Sequence, residues 1–177
     1  PVQLQALATK PLATETLAQL GWSGRECITD SRRLFNYFRL TVDNRIVFGG
    51  GWPKYGQTQL ALNPADLISR LNYTFPADVI LPVAMTWSGI IDYVLDTLPI
   101  ITRLQTHPAV IYVGGWCGHG IALSIAAGAW VAHLSKLGTW PANVPQFRQQ
   151  PPLLPTEWAR RLGFWAGIRL MSFLDNS

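Results

Sequence analysis

The stretch YVGGWCGHGIALSIAAGAW, residues 112–130, decides how the chain is interpreted, because four glycines precede a long apolar segment. A glycine cluster indicates tight turning or a ligand that lies against bare backbone, since glycine loses the most conformational freedom on folding. The apolar run at 109–113 predicts a strand that is buried on both faces. The small apolar residues at 120–134 predict a fully buried helix. The glycines of the cluster are Gly114, Gly115, Gly118 and Gly120.

A strand that enters a helix through glycines leaves the first N–H groups of the helix unpaired, and the helix dipole adds partial positive charge there. Such a site favours an anionic group. The spacing G-x-x-G-x-G of Gly115, Gly118 and Gly120 differs from the dinucleotide fingerprint, and no Lys-Ser/Thr pair completes a P-loop. We expect a flatter ligand whose edge touches the helix N-terminus. Tight packing without any ligand stays an equal alternative at this point.

The composition is apolar, with 177 residues of which 49% are hydrophobic and 14% charged, and with eight tryptophans. The length suits one domain, and we expect apolar area to face a partner or further chain. The net charge of +4 comes from scattered basic residues, so no nucleic-acid partner is expected. Arg32 and Arg33 are interpreted as a solvated pair.

The two cysteines, Cys27 and Cys117, lack a CxxC or metal-ligand spacing, so we expect free thiols, no metal site and a reducing, cytoplasmic location. Charge or proline interrupts each apolar run before about 18 residues, and no transmembrane span is predicted. Since the chain begins with Pro1, we expect that further sequence precedes it.

The first half of the chain predicts strands and short helices. Val2 opens a strand of alternating polarity, and a hairpin at 36–51 turns at Asp43-Asn44 and ends in sharp-turning glycines. Asn63 is predicted to cap a helix whose first helical position is Pro64. A short helix or turn precedes the hairpin, with Thr14 or Thr16 as its cap.

The second half predicts a long strand within 78–91, where Pro82 indicates an edge or a bulge. A proline-rich connector at 135–155 leads to a last helix at 156–173. One stripe of that helix is apolar: Trp158, Leu162, Trp165 and Ile168. Together these elements predict an α+β fold with mixed or antiparallel strand pairing.

Three stretches in this order resemble the D-amino-acid oxidase-like (DAO) family of FAD-dependent oxidoreductases. They are VIYVGGWCGHGIALSIAAG, the hairpin TDSRRLFNYFRLTVDNRIVFGGG, and TWSGIIDYVLDTLPII with its W-x-G strand and Asp-x-x-Pro turn. The similarity runs over residues 1–134 and more loosely through the tail. Within the family it is to bacterial amine oxidases and dehydrogenases, such as those that act on γ-glutamylputrescine.

The resemblance implies a C-terminal fragment of such an enzyme: a substrate-domain portion at 1–108, the strand, loop and helix that return to the FAD domain at 109–134, and the connector and helix at 135–177. The family's GxGxxG is absent from this chain. The implied partner is an N-terminal FAD-binding half or subunit, and the chain alone is not expected to retain FAD. Self-association through apolar surface is a further expectation. The last helix is expected to pack on the missing half, with peripheral membrane contact as the alternative.

The implied reaction is hydride transfer from a C–N bond to flavin. The resemblance places FAD against the glycine loop, where N–H groups from Gly118 to Ile121 would stabilise the reduced ring. A flavin-free binding or scaffold domain is the rival hypothesis. His119 either touches flavin or substrate or completes the loop's own hydrogen bonding. The implied cofactor-binding residues are Gly114, Gly115, Gly118, His119, Gly120 and Ile121.

The implied substrate pocket draws on Tyr37, Phe38 and Trp87, with one of the two hairpin aromatics expected in the core. The family's arginine positions read Ile90-Ile91 and Trp116-Cys117 here, so its usual clamp for a substrate carboxylate is missing. An amine substrate, or an acid held by the other half, is therefore expected. Asp96 resembles the family's turn acid, and we expect it to cap the turn.

Overall fold

The computed structural model describes residues 1–56, 63–141 and 156–175. The chain divides into two compact units. The sheet unit comprises Val2–Ile90 and Thr156–Ser177, and the loop unit comprises Ile91–Pro155. This division differs from the boundary predicted at 108/109, because a strand at 100–103 pairs with the strand at 111–114 and ties the preceding residues to the glycine loop.

The sheet unit is an α+β fold whose five strands have the order β2-β3-β4-β1-β5. The pairs β1–β4, β2–β3 and β3–β4 are antiparallel, as predicted. Its elements are β1 (Val2–Thr9), α1 (Thr14–Gln19), β2 (Cys27–Thr29), β3 (Tyr37–Leu40), β4 (Ile46–Tyr55), α2 (Ala65–Thr74) and β5 (Val83–Ile91). In the loop unit, β6 (Ile100–Arg103) and β7 (Ile111–Gly114) precede α3 (Gly120–Leu137), and the sheet unit is completed by α4 (Glu157–Asp175).

The core of the sheet unit lies between the sheet and α2. Leu7 and Phe48 are cross-strand partners and are fully buried, as is Leu71 of α2. β1 is buried along most of its length, more than its alternating sequence predicts, because it lies inside the sheet between β4 and β5.

The predicted hairpin is confirmed, with Asn44 at φ 59° in its turn. The glycines at 49–51 were predicted to end the second arm of the hairpin, but they do not. β4 continues to Tyr55, and the register with β1 shifts between Gln3 and Gln5. A bulge therefore replaces the expected sharp turn, and it keeps the strand in the sheet.

The two helix starts had different outcomes. α2 begins at Ala65 with Pro64 as its N-cap, one residue later than predicted. The Asn63 side chain nevertheless accepts a hydrogen bond from the Ala65 N–H at 3.2 Å, just before the helix. For α1 the cap prediction was wrong: Ala13 occupies the N-cap without a side-chain bond, and Thr14 and Thr16 lie inside the helix.

β5 is an edge strand, as Pro82 indicated. The strand begins at the next residue, and the Pro82 carbonyl accepts the Lys10 N–H at 2.7 Å. Proline lacks an N–H, so its place just outside the strand removes no hydrogen bond from the ladder.

In the loop unit, two burial predictions were wrong. Tyr112 of β7 is 43% exposed, and only Ala127 and Leu134 of α3 are buried. β7 pairs only with β6 in a two-stranded antiparallel sheet within the described residues. In β7 and α3, therefore, apolar composition does not correspond to burial.

α3 also corrects the expectation of no membrane-length segment. At 18 residues and a mean hydropathy of 1.3, it is long and apolar enough to cross a membrane by length and composition alone. Core helices of soluble proteins meet the same criterion, so this observation carries little weight by itself.

α4 confirms the predicted last helix, but its predicted stripe is not its packed face. Trp158 is 71% exposed, whereas the Phe164 ring lies 5.7 Å from the Tyr55 ring of β4. Asp175 accepts the N–H groups of Arg33 at 2.8 Å and of Leu34 at 2.9 Å.

The paired arginines before the hairpin are only partly solvated. Arg32 lies over the Tyr73 ring at 5.1 Å, and Arg33 forms an ion pair with Asp175 at 3.9 Å. The proline-rich connector lies outside the described residues from 142 onward.

Candidate functional site

The glycine loop, defined here as residues 114–120, joins the end of β7 to the start of α3. Its backbone is left-handed at three positions: Gly115 has φ 75°, Cys117 has φ 49° and Gly118 has φ 91°. A side chain at Gly118 would meet nothing within 4 Å, so the glycine serves the backbone conformation and leaves the main chain uncovered.

Asp92, which follows β5, holds the first half of the loop. Its carboxylate accepts the N–H of Gly115, and that of Trp116 at 3.2 Å. Its main-chain carbonyl accepts the Cys117 N–H at 3.1 Å. The sequence does not predict this role for Asp92, because no motif links positions 23 residues apart.

The second half of the loop keeps three N–H groups available. The His119 N–H donates to the Trp116 carbonyl at 2.8 Å, so it is already used. Among the described residues, the N–H groups of Gly118, Gly120 and Ile121 donate no hydrogen bond. The first turn of α3 contains no acidic residue, and its N-cap makes no side-chain bond. The site therefore presents donors and the positive end of the helix dipole together.

The Cys117 thiol is buried beside this loop. Its sulfur accepts the Val94 N–H at 3.3 Å. Burial raises the pKa of Cys117, and the nearby carboxylates of Asp92 and Asp96 raise it further. The thiol is therefore neutral near pH 7, whereas a nucleophile or metal ligand needs the thiolate.

Asp96 lies in the turn that the sequence assigned to it. The turn is closed by the Thr97 N–H, which donates to the Val94 carbonyl at 3.1 Å. The capping role predicted for Asp96 stays a prediction. No group of three or more metal-ligating side chains occurs in the described parts of the chain.

The three predicted pocket residues lie on two faces of the main sheet. Phe38 belongs to the core with α2, in register with Phe48. Tyr37 pairs with Gly49, so it lies on the opposite face, where burial raises the pKa of its phenol. Of the two hairpin aromatics, Phe38 is therefore the core residue.

Trp87 belongs to β5, beside Ser88, whose hydroxyl accepts a hydrogen bond from the Gln3 amide at 2.8 Å. Tyr37 and Trp87 are three strand spacings apart, about 14 Å, so they are not in contact. Trp87 is 41% exposed.

Comparison with known proteins places this geometry in a family. The family described as "DAO: FAD dependent oxidoreductase" matches residues 1–134. The chain is 33% identical over 140 residues to the Gamma-glutamylputrescine oxidoreductase of Escherichia coli (strain K12), covering 77% of this chain and 31% of that protein. It is 29% identical over 175 residues to the Probable oxidoreductase OrdL of Haemophilus influenzae, covering 99% and 39%.

Solved structures share the fold. The L-proline dehydrogenase from P. horikoshii matches with a TM-score of 0.65 at 24% identity, covering 94% of this chain and 40% of that one. The glycine oxidase from Geobacillus kaustophilus matches with a TM-score of 0.61 at 20% identity, covering 84% and 36%. The chain spans about a third of the length of the curated relatives it matches. With its antiparallel sheet, its glycine loop and a family match over most of its length, the chain belongs to the DAO family of FAD-dependent oxidoreductases.

Proposed function

We propose that these 177 residues form the C-terminal part of an FAD-dependent enzyme, namely a substrate-domain portion and the last strand, loop and helix of the FAD domain. The enzyme oxidises the C–N bond of an amine or amino acid by hydride transfer to flavin. The observation that carries the proposal is the glycine loop. In a chain of a flavoenzyme family, three N–H groups without an acceptor among the described residues meet at the N-terminus of α3.

The residues of the loop fit a flavin ring. A reduced flavin gathers negative charge at its N1 and C2=O edge, and the N–H groups of Gly118, Gly120 and Ile121 supply donors for such charge. The open space beside Gly118 leaves the backbone accessible. Removal of one preorganised donor of this kind typically costs about 3 kcal/mol of transition-state stabilisation.

The phosphates of FAD need a partner that this chain does not supply. The chain contains no GxGxxG, the motif that places a pyrophosphate at a helix N-terminus. The proposed partner is an FAD-binding half, in the same polypeptide or in a second subunit. Without it, we expect the 177-residue chain to retain no FAD.

A bound flavin supplies the hydride acceptor. This chain supplies the N–H donors of the glycine loop and part of the surface that binds the substrate. Tyr37 of β3 and Trp87 of β5, which is 41% exposed, offer aromatic surface in the sheet unit. Position 90 is isoleucine, 43% exposed, and position 117 is a buried neutral thiol, so neither supplies a cation for a substrate carboxylate. We therefore favour an amine over an α-amino acid, in line with the name of the Escherichia coli relative.

The second candidate function is a flavin-free binding or scaffold domain with the same fold. The observation that favours it is the exposure of α3, with Ile121 88% and Ile125 76% exposed, which suits a docking surface. Self-association through that surface and a cytoplasmic location belong to the proposal as expectations. Light scattering measures the self-association, and cell fractionation measures the location.

The test starts with the gene that encodes this chain. We expect a strand, a GxGxxG and an acidic residue about 20 positions later upstream of Pro1 or in a co-purifying subunit. The complete protein is then mixed anaerobically with a panel of amines and amino acids. Loss of the visible flavin absorbance with amines supports the proposal. A complete protein without FAD would give the lead to the scaffold function.

A further inference from the structure

We propose that Asp92 is the positioning residue of the glycine loop: it binds the N–H groups of the first half, so that those of the second half stay turned toward the cofactor. The inference deepens the proposed function and rests on it. No family motif or sequence spacing identified this residue.

Three hydrogen bonds meet at Asp92. Its two carboxylate oxygens and its carbonyl together accept three consecutive N–H groups, those of Gly115, Trp116 and Cys117. The contact is close, because a Cβ placed on Gly114 would lie 3.0 Å from Asp92 Oδ2. Three consecutive N–H groups are therefore fixed toward one residue.

These three bonds hold a stretch of backbone that contains left-handed residues. Gly115 and Cys117 both have positive φ, and for cysteine this conformation costs energy of its own. The bonds to Asp92 offset that cost. The peptide between Trp116 and Cys117 connects the two halves of the loop: its N–H donates to the Asp92 carbonyl, and its carbonyl accepts the His119 N–H at 2.8 Å. Asp92 thereby holds both ends of the turn that contains Gly118.

A carboxylate suits this position better than an amide does. Both of its oxygens accept without carrying a hydrogen, and a charged acceptor makes stronger bonds than a neutral one. An asparagine would turn an NH₂ group toward one of the two N–H groups and lose that bond. The two bonds also engage the negative charge of Asp92, which would otherwise oppose a ligand that becomes anionic.

The experiment uses the complete protein that contains this chain, with three variants. Asp92→Asn keeps the shape and loses one bond, and Asp92→Glu keeps the charge but displaces it. Asp78→Asn is the matched control, since Asp78 is exposed and lies outside the loop. Two quantities are measured for each variant: the FAD dissociation constant, and the rise in melting temperature that saturating FAD produces. Hydrogen exchange at 115–117 reports the loop directly.

We expect Asp92→Asn to weaken FAD binding about tenfold or more, which is the effect of losing one charge-assisted bond. The FAD-dependent rise in melting temperature should shrink accordingly, because that rise follows the ratio of FAD concentration to its dissociation constant. Exchange at 115–117 should accelerate. Asp92→Glu should give the same direction with a smaller effect, and Asp78→Asn should match the unsubstituted protein.

A purely structural role would give a different pattern. Asp92→Asn would then lower the melting temperature equally with and without FAD, with the FAD dissociation constant unchanged, and this would overturn the inference. Unchanged exchange at 115–117 would overturn it as well. If the unsubstituted complete protein binds no FAD, the proposed function itself fails, which is a separate outcome from a failure of the Asp92 variants alone.

Discussion

The sheet unit and the loop unit bury their apolar residues to very different extents. In the sheet unit, Phe48, Leu7 and Leu71 are fully buried against one another. In the loop unit, α3 is more apolar in composition, yet Ile121 and Ile125 are largely exposed. The sheet unit therefore forms a closed apolar core, whereas α3 of the loop unit exposes apolar side chains. Apolar composition alone therefore does not predict which segments of this chain are buried.

The largest expected effect comes from a matched pair of substitutions to alanine, one in each unit. Leu71→Ala should lower the free energy of unfolding of the 177-residue chain by about 3 kcal/mol, because it leaves a cavity in the closed core. Ile125→Ala, in a 76% exposed position, should change it by less than about 0.5 kcal/mol. Chemical denaturation measures both values. Equal losses would contradict the proposed division.

A second pair compares glycines that are needed for different reasons. A Cβ on Gly49 would overlap the Tyr37 ring, so Gly49→Ala should cost about 2 kcal/mol of stability through overpacking. Gly118 has open space but a φ of 91°, so Gly118→Ala should cost about 1 kcal/mol through backbone strain.

Asparagine sharpens this glycine comparison, because it tolerates positive φ better than alanine does. Gly118→Asn should be milder than Gly118→Ala, whereas Gly49→Asn should be worse than Gly49→Ala. Thermal unfolding of the four variants gives the order. Gly89→Ala, in β5 with open space around it, is the control and should be close to neutral. The same order at both positions would contradict the two reasons.

The smallest expected effect concerns how α4 is anchored within the sheet unit. The N–H groups of Leu34 and Arg33 lower the pKa of Asp175 below its ordinary value. Its ionised form therefore stabilises the fold fully above the ordinary pKa, and that contribution is lost as the pH falls through the lowered folded value.

Asp175→Asn should accordingly lower the melting temperature modestly at pH 7. The gap to the unsubstituted chain should narrow as the pH falls through the lowered pKa of Asp175, because the carboxylate then becomes protonated. Asp78→Asn serves as the control for loss of an exposed carboxylate. A gap that stays constant with pH would contradict the anchoring role of Asp175.

Local signals in the sequence predicted much of the sheet unit. Asp43-Asn44 identified the hairpin, Asn63-Pro64 the start of α2, and Pro82 the edge strand, because each acts through the backbone of its nearest neighbours. The bulge at the glycines was missed, since it depends on the register with β1.

The candidate site was predictable only in part. The glycine spacing identified the loop and the available N–H groups at the start of α3. The role of Asp92 was not predictable, because it depends on a contact with residues 23 positions away that only the folded chain forms. The His119 N–H is used locally, by the Trp116 carbonyl three residues earlier, in line with the alternative that His119 completes the hydrogen bonding of the loop.

The most direct test of the account is the FAD content of two purified proteins, the complete protein and the 177-residue chain. The account predicts about one FAD per complete protein and none in the isolated chain, because the glycine loop contacts the flavin ring while the phosphates are held elsewhere. A complete protein without FAD, or an isolated chain that retains one FAD per molecule, would contradict it.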